Sequence, residues 1–486
     1  MRKMTELIGS RRFFGATIVL FAIETFWLAI TSRFPMAFDE AYHLGLIQFF
    51  SHRWNPLVTS QPPSTYKYGA IVHDPSWLYH YLMSFPYRFI ELFTHNIVVL
   101  VIGMRLIDVA LMIVNLFILR KLLQLIGLSG SLANLVLVVF AFTPMVTVLS
   151  AQISYDDLMI PLTTLSLYVT ILLVRELNEK RFNVRRILFL VCLCLLASLV
   201  KFTFIPIMIG IFIVVAWKVV AYWFEDRTRL LKQVVTDFNK SSLYLRITIL
   251  MAAALSVFLF SWFYGANTIR YHTPVPECSQ VISKEACLQN YSWNISYHTR
   301  QYFQAHPGSA MHMTITQFTL IHWAFYMSEQ LYGGIIPIEG LTYMSAPLFA
   351  LVIMFFAAAV VCLFINLKEI IKKYPQLMTL LIISSVYIIF LWVDNYLNFR
   401  QSGQPSAING RYLVPVLAYL YAVFGISVSR LLRRTNSSGV ASFALAVMII
   451  VIFIVFGGFS QYVNDITPSY GRLSGTNKFV LKSFGQ

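Results

Sequence analysis

The sequence has few charged residues for its length, and acids are the scarcest. Of its 486 residues, 12% are Asp, Glu, Lys or Arg and only 21 are acidic, whereas 58% are hydrophobic. Apolar runs of roughly 20 residues, long enough to cross a bilayer, recur along nearly the whole chain. These features exclude the soluble domains that length alone would predict, and they favour a polytopic membrane protein.

Several common functional signatures are also absent from the sequence. It contains no zinc motif, no Walker loop and no dinucleotide fingerprint. It has no low-complexity segment and no obvious internal repeat, and many transporters are built from such repeats. We therefore expect no nucleotide cofactor and no metal-binding motif. The lack of an internal repeat also counts against the commonest transporter architecture.

Cysteine is rare, with five residues in the chain. Cys192, Cys194 and Cys362 lie in apolar stretches, where cysteine usually packs as a small core residue. Cys278 and Cys287 lie nine residues apart in a loop predicted to face outward. A disulfide that closes a small loop is plausible there in an oxidising compartment.

The net charge of +16 would indicate a nucleic-acid partner in a soluble protein. Here the basic residues cluster in alternate loops between apolar spans, and such loops face the cytoplasm in membrane proteins. We therefore exclude nucleic acid and place these loops and the N-terminus in the cytoplasm. The first twelve residues resemble the start of a signal peptide, but no small-residue cleavage site follows, so a retained first helix is expected. The basic clusters are Arg120-Lys121, 175–186, 227–246, 368–373 and 430–434.

The apolar runs predict an all-α polytopic membrane protein with about eleven transmembrane helices and the C-terminus outside. The stretch 187–224 is nearly twice the length of one span, with Lys201 and Pro206 near its middle, so it is divided into two helices joined by a tight outer turn. The predicted spans are 13–30, 97–119, 132–149, 158–174, 187–200, 204–223, 246–264, 346–367, 377–393, 413–428 and 440–459.

Three segments on the predicted outer side are too long to be simple connections, namely 31–95, 267–345 and 394–411, whereas the inner turns are compact. Function is therefore expected on the outer side of a single domain that covers residues 1–486. Within the first segment, an apolar stripe at helical spacing predicts a helix lying in the membrane interface. The stripe comprises Trp77, Leu78, Tyr81, Leu82 and Phe85.

Asp39 and Glu40 follow the first span directly and form the most informative polar pair. Two adjacent carboxylates at a membrane surface are costly unless they are solvated or used in chemistry. Asp39 is the candidate general base, with Glu40 beside it as a second catalytic carboxylate or a solvated group. The alternative is that Asp39 only caps a helix from Glu40 to Phe50, because Asp is favoured at that position.

Two cations are candidates for binding a phosphate. Lys201 interrupts an apolar stretch at about the depth of the outer headgroups, where a lysine that extends to the interface is the ordinary explanation. Arg411 lies at the entry of a helix after a polar outer loop, and its guanidinium can hold two phosphate oxygens.

Other polar residues have weaker signals. Asp156 either caps a helix or contacts substrate. His73 and Asp74 lie beside Pro75, where they either contact a polar acceptor or start the following helix. Arg105 and Asp108 lie three residues apart on one predicted helix, so a structural ion pair is expected between them. The candidates for substrate contact are His73, Asp74, Asp156 and Tyr42.

In order and spacing, these motifs resemble the membrane glycosyltransferases with the GT-C fold, such as protein O-mannosyltransferases and the aminoarabinose transferases of lipid A, together with uncharacterised bacterial relatives. The resemblance covers most of the chain in layout, although Tyr155 stands where the family usually has asparagine. It rests on Phe38-Asp39-Glu40, His73-Asp74-Pro75-Ser76-Trp77-Leu78-Tyr79, Gly103-Met104-Arg105-Leu106-Ile107, Ser154-Tyr155-Asp156-Asp157-Leu158, Leu199-Val200-Lys201-Phe202 and Asn409-Gly410-Arg411-Tyr412-Leu413-Val414-Pro415.

The resemblance implies an inverting transfer of a monosaccharide from a polyprenyl-phosphate donor to an acceptor hydroxyl on the extracytoplasmic face, in the EC 2.4 class. Asp39 would take the acceptor proton, and Lys201 and Arg411 would stabilise the departing phosphate. No metal is chemically required, although a divalent ion bridged by Asp39 and Asp156 is an open alternative. The acceptor would be a lipid, a glycan or a protein. We expect the membrane to be a bacterial plasma membrane.

Two other functions remain open from the sequence. A transporter or flippase of a lipid-linked or amphipathic substrate would also place charged groups near the headgroups. A scaffold or sensor would present its outer loops and use Asp39 only as a helix cap. Full function after Asp39→Asn would favour the scaffold.

Overall fold

The computed structural model describes residues 2–32, 34–36, 39–240, 242–333, 346–405 and 407–433, together with 443–444, 447–451 and 453. Within these ranges the chain is helical and contains no strand. More than half of the predicted eleventh span, 440–459, falls outside the described residues, as does the C-terminus. Phe38 of the acidic motif is also outside them.

The described α-helices cover most of the predicted spans and parts of the predicted loops. In chain order they are α1 Arg2–Gly9, α2 Arg11–Thr31, α3 Glu40–Ser51, α4 Leu78–Glu91, α5 Ile97–Leu125, α6 Gly130–Ala141, α7 Pro144–Ser150, α8 Asp156–Asn178, α9 Val184–Val200, α10 Ile205–Lys240, α11 Leu243–Phe260, α12 Ala266–Tyr271, α13 Cys278–Val281, α14 Lys284–Cys287, α15 Tyr291–Ala305, α16 Ile315–Gln317, α17 Phe325–Gly333, α18 Ala346–Lys373, α19 Pro375–Ser402 and α20 Val414–Arg433.

Seven helical segments in the described part of the chain are long and apolar enough to cross a membrane. The predicted count of about eleven is therefore not confirmed, although an all-helical membrane architecture is. Two further predicted spans are present as α9, which has 17 residues, and α18, which has 28. The seven segments are Arg11–Thr31, Ile97–Leu125, Asp156–Asn178, Phe202–Asp237, Leu243–Tyr271, Pro375–Ser402 and Gly410–Arg430.

The predicted continuous span 132–149 is wrong. The structure divides it into α6 and α7, which meet at a bend of 67°. Pro144 is the first residue of α7. Proline has no N–H to continue the helical hydrogen bonds, and it disfavours helical backbone in the residue before it, so α6 does not continue through Thr143 into α7.

The tight turn predicted near Lys201 is confirmed. Helix α9 ends at Val200, and Lys201 has extended backbone angles before a short 3₁₀ turn at Phe202–Phe204. Helix α10 then begins at Ile205, with Pro206 in its first turn. Proline is favoured there because the first N–H groups of a helix have no partner within it.

Where the sequence predicts an interfacial helix in the first outer segment, the structure has α4, but only part of the predicted apolar stripe is exposed. Trp77 is only 3% exposed and stacks on Phe263, with ring centroids 5.3 Å apart. Leu82 and Phe85 of the predicted stripe are exposed, as is Phe89 one turn further on. Trp77 thus belongs to the protein interior, because α11 and the π-helical turn that follows it cover that side of α4.

The centre of the bundle is formed by α5, which packs along α8 and also contacts α2, α4 and α6. Helices α10, α19 and α20 complete the bundle around α8. The C-terminal ends of α2 and α9 and the N-terminal ends of α3 and α8 meet at one end of this bundle, through the contacts described below. We call it the site end, and the topology predicts that it faces outward.

Candidate active site

Glu40 and Arg105 form a buried ion pair that holds the site end together. Both side chains are fully buried, and the guanidinium donates to the two carboxylate oxygens over 2.7 and 2.8 Å. Arg105 also donates to the main-chain carbonyls of Ala29 and Ser32, at the end of α2. Glu40 accepts from the main-chain N–H of Ile153. The pair therefore fixes α2, α3 and α5 against the turn before α8.

The predicted ion pair between Arg105 and Asp108 is wrong, because the Arg105 guanidinium turns to Glu40. Asp108 instead accepts a hydrogen bond of 2.8 Å from the Tyr79 hydroxyl. The placement also bears on Glu40 as a catalytic carboxylate. Both Glu40 oxygens are occupied by the Arg105 guanidinium inside the protein, so neither is open to a proton from a substrate.

Asp39 lies next to this pair but in a different environment. It is the residue before α3, it has left-handed backbone angles (φ 63°, ψ 20°), and its side chain makes no capping hydrogen bond. Its carboxylate is half exposed and lies 3.6 Å from the Arg411 guanidinium. Left-handed backbone is uncommon in residues other than glycine and occurs often at functional sites. The side chain therefore faces the site and does not cap α3.

Arg411 is held by the residues on either side of it. The Asn409 side chain accepts from the Arg411 N–H over 3.0 Å and so starts a 3₁₀ turn at Gly410–Leu413. Gly410 packs against the backbone of α17, where a Cβ atom would lie 2.6 Å from the Leu331 nitrogen and the Met327 oxygen. Only glycine permits that approach. The Asn-Gly-Arg sequence thus directs the arginine, whose side chain is 6% exposed, towards Asp39.

Lys201 and Asp156 form a second buried ion pair, with 2.6 Å between Nζ and Oδ1 and both side chains 1% exposed. The Lys201 ammonium also lies over two aromatic rings, 4.4 Å from the centre of Tyr155 and 4.7 Å from that of Tyr412. Tyr412 is the neighbour of Arg411, so the two cations share one wall of the site. The extended backbone at the turn between α9 and α10 places Lys201 there.

Tyr42 and Asp74 extend the site along α3. The Tyr42 hydroxyl lies 3.4 Å from one oxygen of Asp74, and the other oxygen accepts from the Ser76 N–H over 2.8 Å. Burial raises the pKa of Asp74 above its usual value, although these hydrogen bonds oppose the shift. Burial likewise raises the pKa of Tyr42. Tyr42 therefore stays protonated and is a hydroxyl donor.

His73 lies apart from these residues. Its ring packs edge-on against Tyr271, with centroids 5.3 Å apart, and its main-chain carbonyl accepts from Asn267. Partial burial, followed by the nearby charge of Arg270, lowers its pKa. Glu40 is buried next to the site, and His73 lies beside the segment that follows α11. The other residues proposed from the sequence come together in the structure, namely Asp39, Tyr42, Asp74, Asp156, Lys201 and Arg411.

Two buried histidines at the site were missed in the sequence. His43 on α3 and His80 on α4 lie with 2.9 Å between Nδ1 of the first and Nε2 of the second. The His43 ring contacts the Tyr155 ring edge-on, with centroids 4.4 Å apart. Each histidine stands alone in an apolar stretch, so nothing in the sequence linked the two. The available signal was His43 itself, which follows Glu40 of the acidic pair by three residues.

The carboxylates of the site do not fit a divalent ion bridged by Asp39 and Asp156. Asp156 is bound to Lys201, and Asp39 faces Arg411. A metal would have to compete with a fixed cation at each oxygen ligand. No group of three or more potential metal ligands is found among the residues that the structure describes.

The disulfide predicted from the sequence is present in the structure between Cys278 and Cys287, whose Cα atoms are 5.9 Å apart. It joins α13 to α14. The side chain of Asn290, just after α14, donates to the Lys67 carbonyl in the first outer segment. The crosslinked helices therefore lie against the segment that also carries Tyr42 and Asp74.

Similarity to solved structures is broad but distant. The chain is similar to the oligosaccharyltransferase of Archaeoglobus fulgidus in complex with zinc and sulfate, at 13% identity and a TM-score of 0.48 over 93% of this chain. It is also similar to ArnT from Cupriavidus metallidurans bound to undecaprenyl phosphate, at 14% identity and a TM-score of 0.43 over 90% of this chain.

The chain spans 55% of the length of the oligosaccharyltransferase and 64% of that of ArnT. Both neighbours are GT-C fold glycosyltransferases, the class that the sequence motifs resemble. At these TM-scores the overlap is too loose to transfer a function from either protein to this chain. No curated protein matches the sequence significantly.

A family model described as a predicted membrane protein, DUF2142, matches residues 59–420. The match covers most of the chain, including Lys201 and Arg411, and begins after Asp39. It agrees with the apolar helices of the structure in identifying an integral membrane protein. The chain belongs to the DUF2142 family of predicted membrane proteins.

Proposed function

We propose that the protein is a membrane glycosyltransferase that moves a monosaccharide from a polyprenyl-phosphate donor to an acceptor hydroxyl at the site end, with inversion. The observation that carries the proposal is the half-exposed Asp39 carboxylate facing the buried Arg411 guanidinium across 3.6 Å. A base open to an incoming hydroxyl, beside a cation suited to a phosphate, supplies the two groups that this transfer needs.

Arg411 is the main ligand of the donor phosphate in this proposal. Lys201 pairs closely with Asp156, at 2.6 Å inside the protein, whereas the Arg411 guanidinium lies 3.6 Å from Asp39, whose carboxylate is half exposed. A guanidinium can bind two phosphate oxygens at once. A bound phosphate would compete with Asp39 for Arg411 and so leave the carboxylate available for the acceptor. Lys201 contributes positive potential from behind the two tyrosine rings.

In the reaction, Asp39 accepts the proton of the acceptor hydroxyl as its oxygen attacks the anomeric carbon. The bond from that carbon to the phosphate oxygen breaks, and the polyprenyl phosphate leaves with the electron pair. Attack from the side opposite the phosphate inverts the configuration. Because Asp39 is half exposed, its proton can return to water. The acceptor is a hydroxyl of a lipid, a glycan or a protein on the extracytoplasmic face of a bacterial plasma membrane.

The decisive experiment compares the purified protein with Asp39→Asn, using radiolabelled sugar on undecaprenyl phosphate as donor and an envelope extract as acceptor. We expect Asp39→Asn to lose roughly a hundred- to ten-thousandfold in transfer, the usual contribution of a general base. Asparagine tolerates left-handed backbone, so the fold and the binding of undecaprenyl phosphate are expected to persist.

Glu285→Gln is the matched control, because Glu285 is an exposed acid in α14. It should transfer sugar at the wild-type rate. Equal transfer by Asp39→Asn would reduce Asp39 to a local structural residue. If the wild type binds undecaprenyl-phosphate sugars but transfers none of them, a transporter or flippase of lipid-linked substrates becomes the better explanation.

A further inference from the structure

The two buried histidines form a rigid pair at the centre of the site. His43 is 1% exposed and His80 is fully buried. Their rings lie nearly parallel, with an angle of 19° and centroids 5.2 Å apart, and the Nδ1 atom of His43 lies 2.9 Å from Nε2 of His80. At that distance one of the two nitrogens carries the hydrogen and the other accepts it.

Both histidines are neutral at physiological pH. Burial lowers the pKa of His80 to about 3. The pKa of His43 is also lowered, first by burial and then by His80, Arg411 and Lys201. A neutral imidazole has one N–H and one bare nitrogen, so fixing the hydrogen on one ring fixes its place on the other.

The surroundings of His80 select one tautomer of the pair. The main chain of Ser76 raises the pKa of His80 against the effect of burial, as a nearby carbonyl does, and Nε2 of His80 already faces His43. A carbonyl can only accept, so the hydrogen of His80 belongs on Nδ1 and its Nε2 is bare. His43 must then donate from Nδ1 to His80. This leaves Nε2 of His43 as a bare acceptor.

That acceptor has no protein partner among the described residues, and the His43 ring lies near both proposed phosphate ligands. The Nε2 atom of His43 is buried without a hydrogen bond. The charges of Arg411 and Lys201 both act on His43, and Tyr155 contacts both His43 and Lys201. Buried polar atoms are nearly always hydrogen-bonded, so this one needs a donor.

We propose that Nε2 of His43 accepts a hydrogen bond from a hydroxyl of the transferred sugar, and that His80 is the positioning residue that keeps this nitrogen bare. The inference rests on the proposed function and deepens it. A bare nitrogen repels a phosphate oxygen and attracts a hydroxyl. The part of the donor next to the phosphate is the sugar. His43 is not a second base, because a proton on it would be disfavoured by burial and by both cations.

Access to His43 requires one neighbour to move. His43 itself is buried, whereas Tyr155, which contacts it edge-on, is partly exposed. The sugar therefore reaches the imidazole by displacing the Tyr155 ring. The family that the motifs resemble usually has asparagine at the position of Tyr155. The tyrosine ring is large enough to cover the histidine.

The test measures binding, so it needs no acceptor. The probes are undecaprenyl phosphate and undecaprenyl-phosphate-linked glucose, mannose and galactose, each sugar also in its singly deoxygenated forms. For the wild type, we expect one deoxygenated position to weaken binding about tenfold, the loss of one well-placed hydrogen bond to a buried group. In His43→Phe that penalty should vanish, while undecaprenyl phosphate without a sugar binds as before.

Two variants and one spectrum complete the test. His43→Gln keeps an oxygen acceptor and should retain part of the penalty, and His52→Phe, at an exposed position just after α3, should behave as the wild type. If His43→Phe does not fold, ¹⁵N spectra of histidine-labelled wild type still show which His43 nitrogen carries hydrogen. A hydrogen on Nε2, or an unchanged deoxy penalty in His43→Phe, overturns this inference alone. Wild type that binds none of the lipids overturns the proposed function as well.

Discussion

Asp39 and Glu40 are neighbours of the same chemical type, and each faces an arginine, yet the two pairs differ in kind. Glu40 and Arg105 are fully buried and meet over 2.7 Å, whereas Asp39 is half exposed and meets Arg411 over 3.6 Å. Removing either member of the fully buried pair leaves an uncompensated charge inside the protein, whereas the Asp39 carboxylate stays partly in contact with water. Adjacent carboxylates thus divide into one that is enclosed in the fold and one that stays open to solvent.

The largest expected effect comes from breaking the buried pair. Glu40→Gln or Arg105→Met should lower the free energy of unfolding by about 3 to 5 kcal/mol, because each leaves one charge buried alone. Thermal unfolding in detergent, followed by loss of the monodisperse protein, measures it. The double variant Glu40→Leu with Arg105→Met should recover much of the loss, since no charge then remains.

Glu277→Gln is the control for that series, because it breaks the exposed pair between Glu277 and Arg300. It should change stability by less than about 1 kcal/mol. A buried-pair variant as stable as this control would mean that the Glu40 and Arg105 pair does not hold the site end.

A smaller effect is expected at the pair of Asp39 and Arg411. Arg411→Gln should weaken binding of undecaprenyl phosphate by roughly ten- to a hundredfold, the range for hydrogen bonds to a charged group. Arg411→Lys should recover little, because an ammonium cannot make the same two-pronged contact. Lipid binding and thermal unfolding measured on the same samples separate this loss from unfolding. Unchanged affinity in Arg411→Gln would remove Arg411 from the proposed phosphate site.

The smallest expected effect is that of metal removal. If arginine and lysine balance the site carboxylates, a chelator should leave sugar transfer unchanged, and added magnesium or manganese should not raise it. The comparison with untreated protein is made at matched ionic strength, because salt alone screens exposed charges. If a chelator abolishes transfer and a divalent ion restores it, the protein does not work with Asp39 paired to Arg411 alone.

Much of the membrane layout was readable from the sequence because apolar length and loop charge are local properties. The turn at Lys201 was predicted from Pro206 and the doubled length of the apolar run, and the structure has it. The bend between α6 and α7 was missed although Pro144 marks it, because hydropathy continues across the proline. The buried face of Trp77 was missed because the helical stripe of α4 does not reveal which side another helix covers.

The partner of each charge was harder to predict than its position. Arg105 and Asp108 are correctly spaced for a pair on one helix, but Glu40 offers Arg105 two oxygens from a different element. The two histidines are 37 residues apart in sequence and meet only because α3 packs on α4. Pairings across elements depend on packing, which local spacing does not encode.

The sequence by itself determined that this is a membrane protein, roughly where most of its apolar spans lie, and which polar residues interrupt them, because the cost of polar groups in a bilayer acts on each segment separately. Only the tertiary structure decided that Glu40 is enclosed, that Asp39 remains open, and that Nε2 of His43 is buried without a hydrogen bond. Those outcomes depend on which side chains from distant segments exclude water around a charge, and the packed bundle alone sets that.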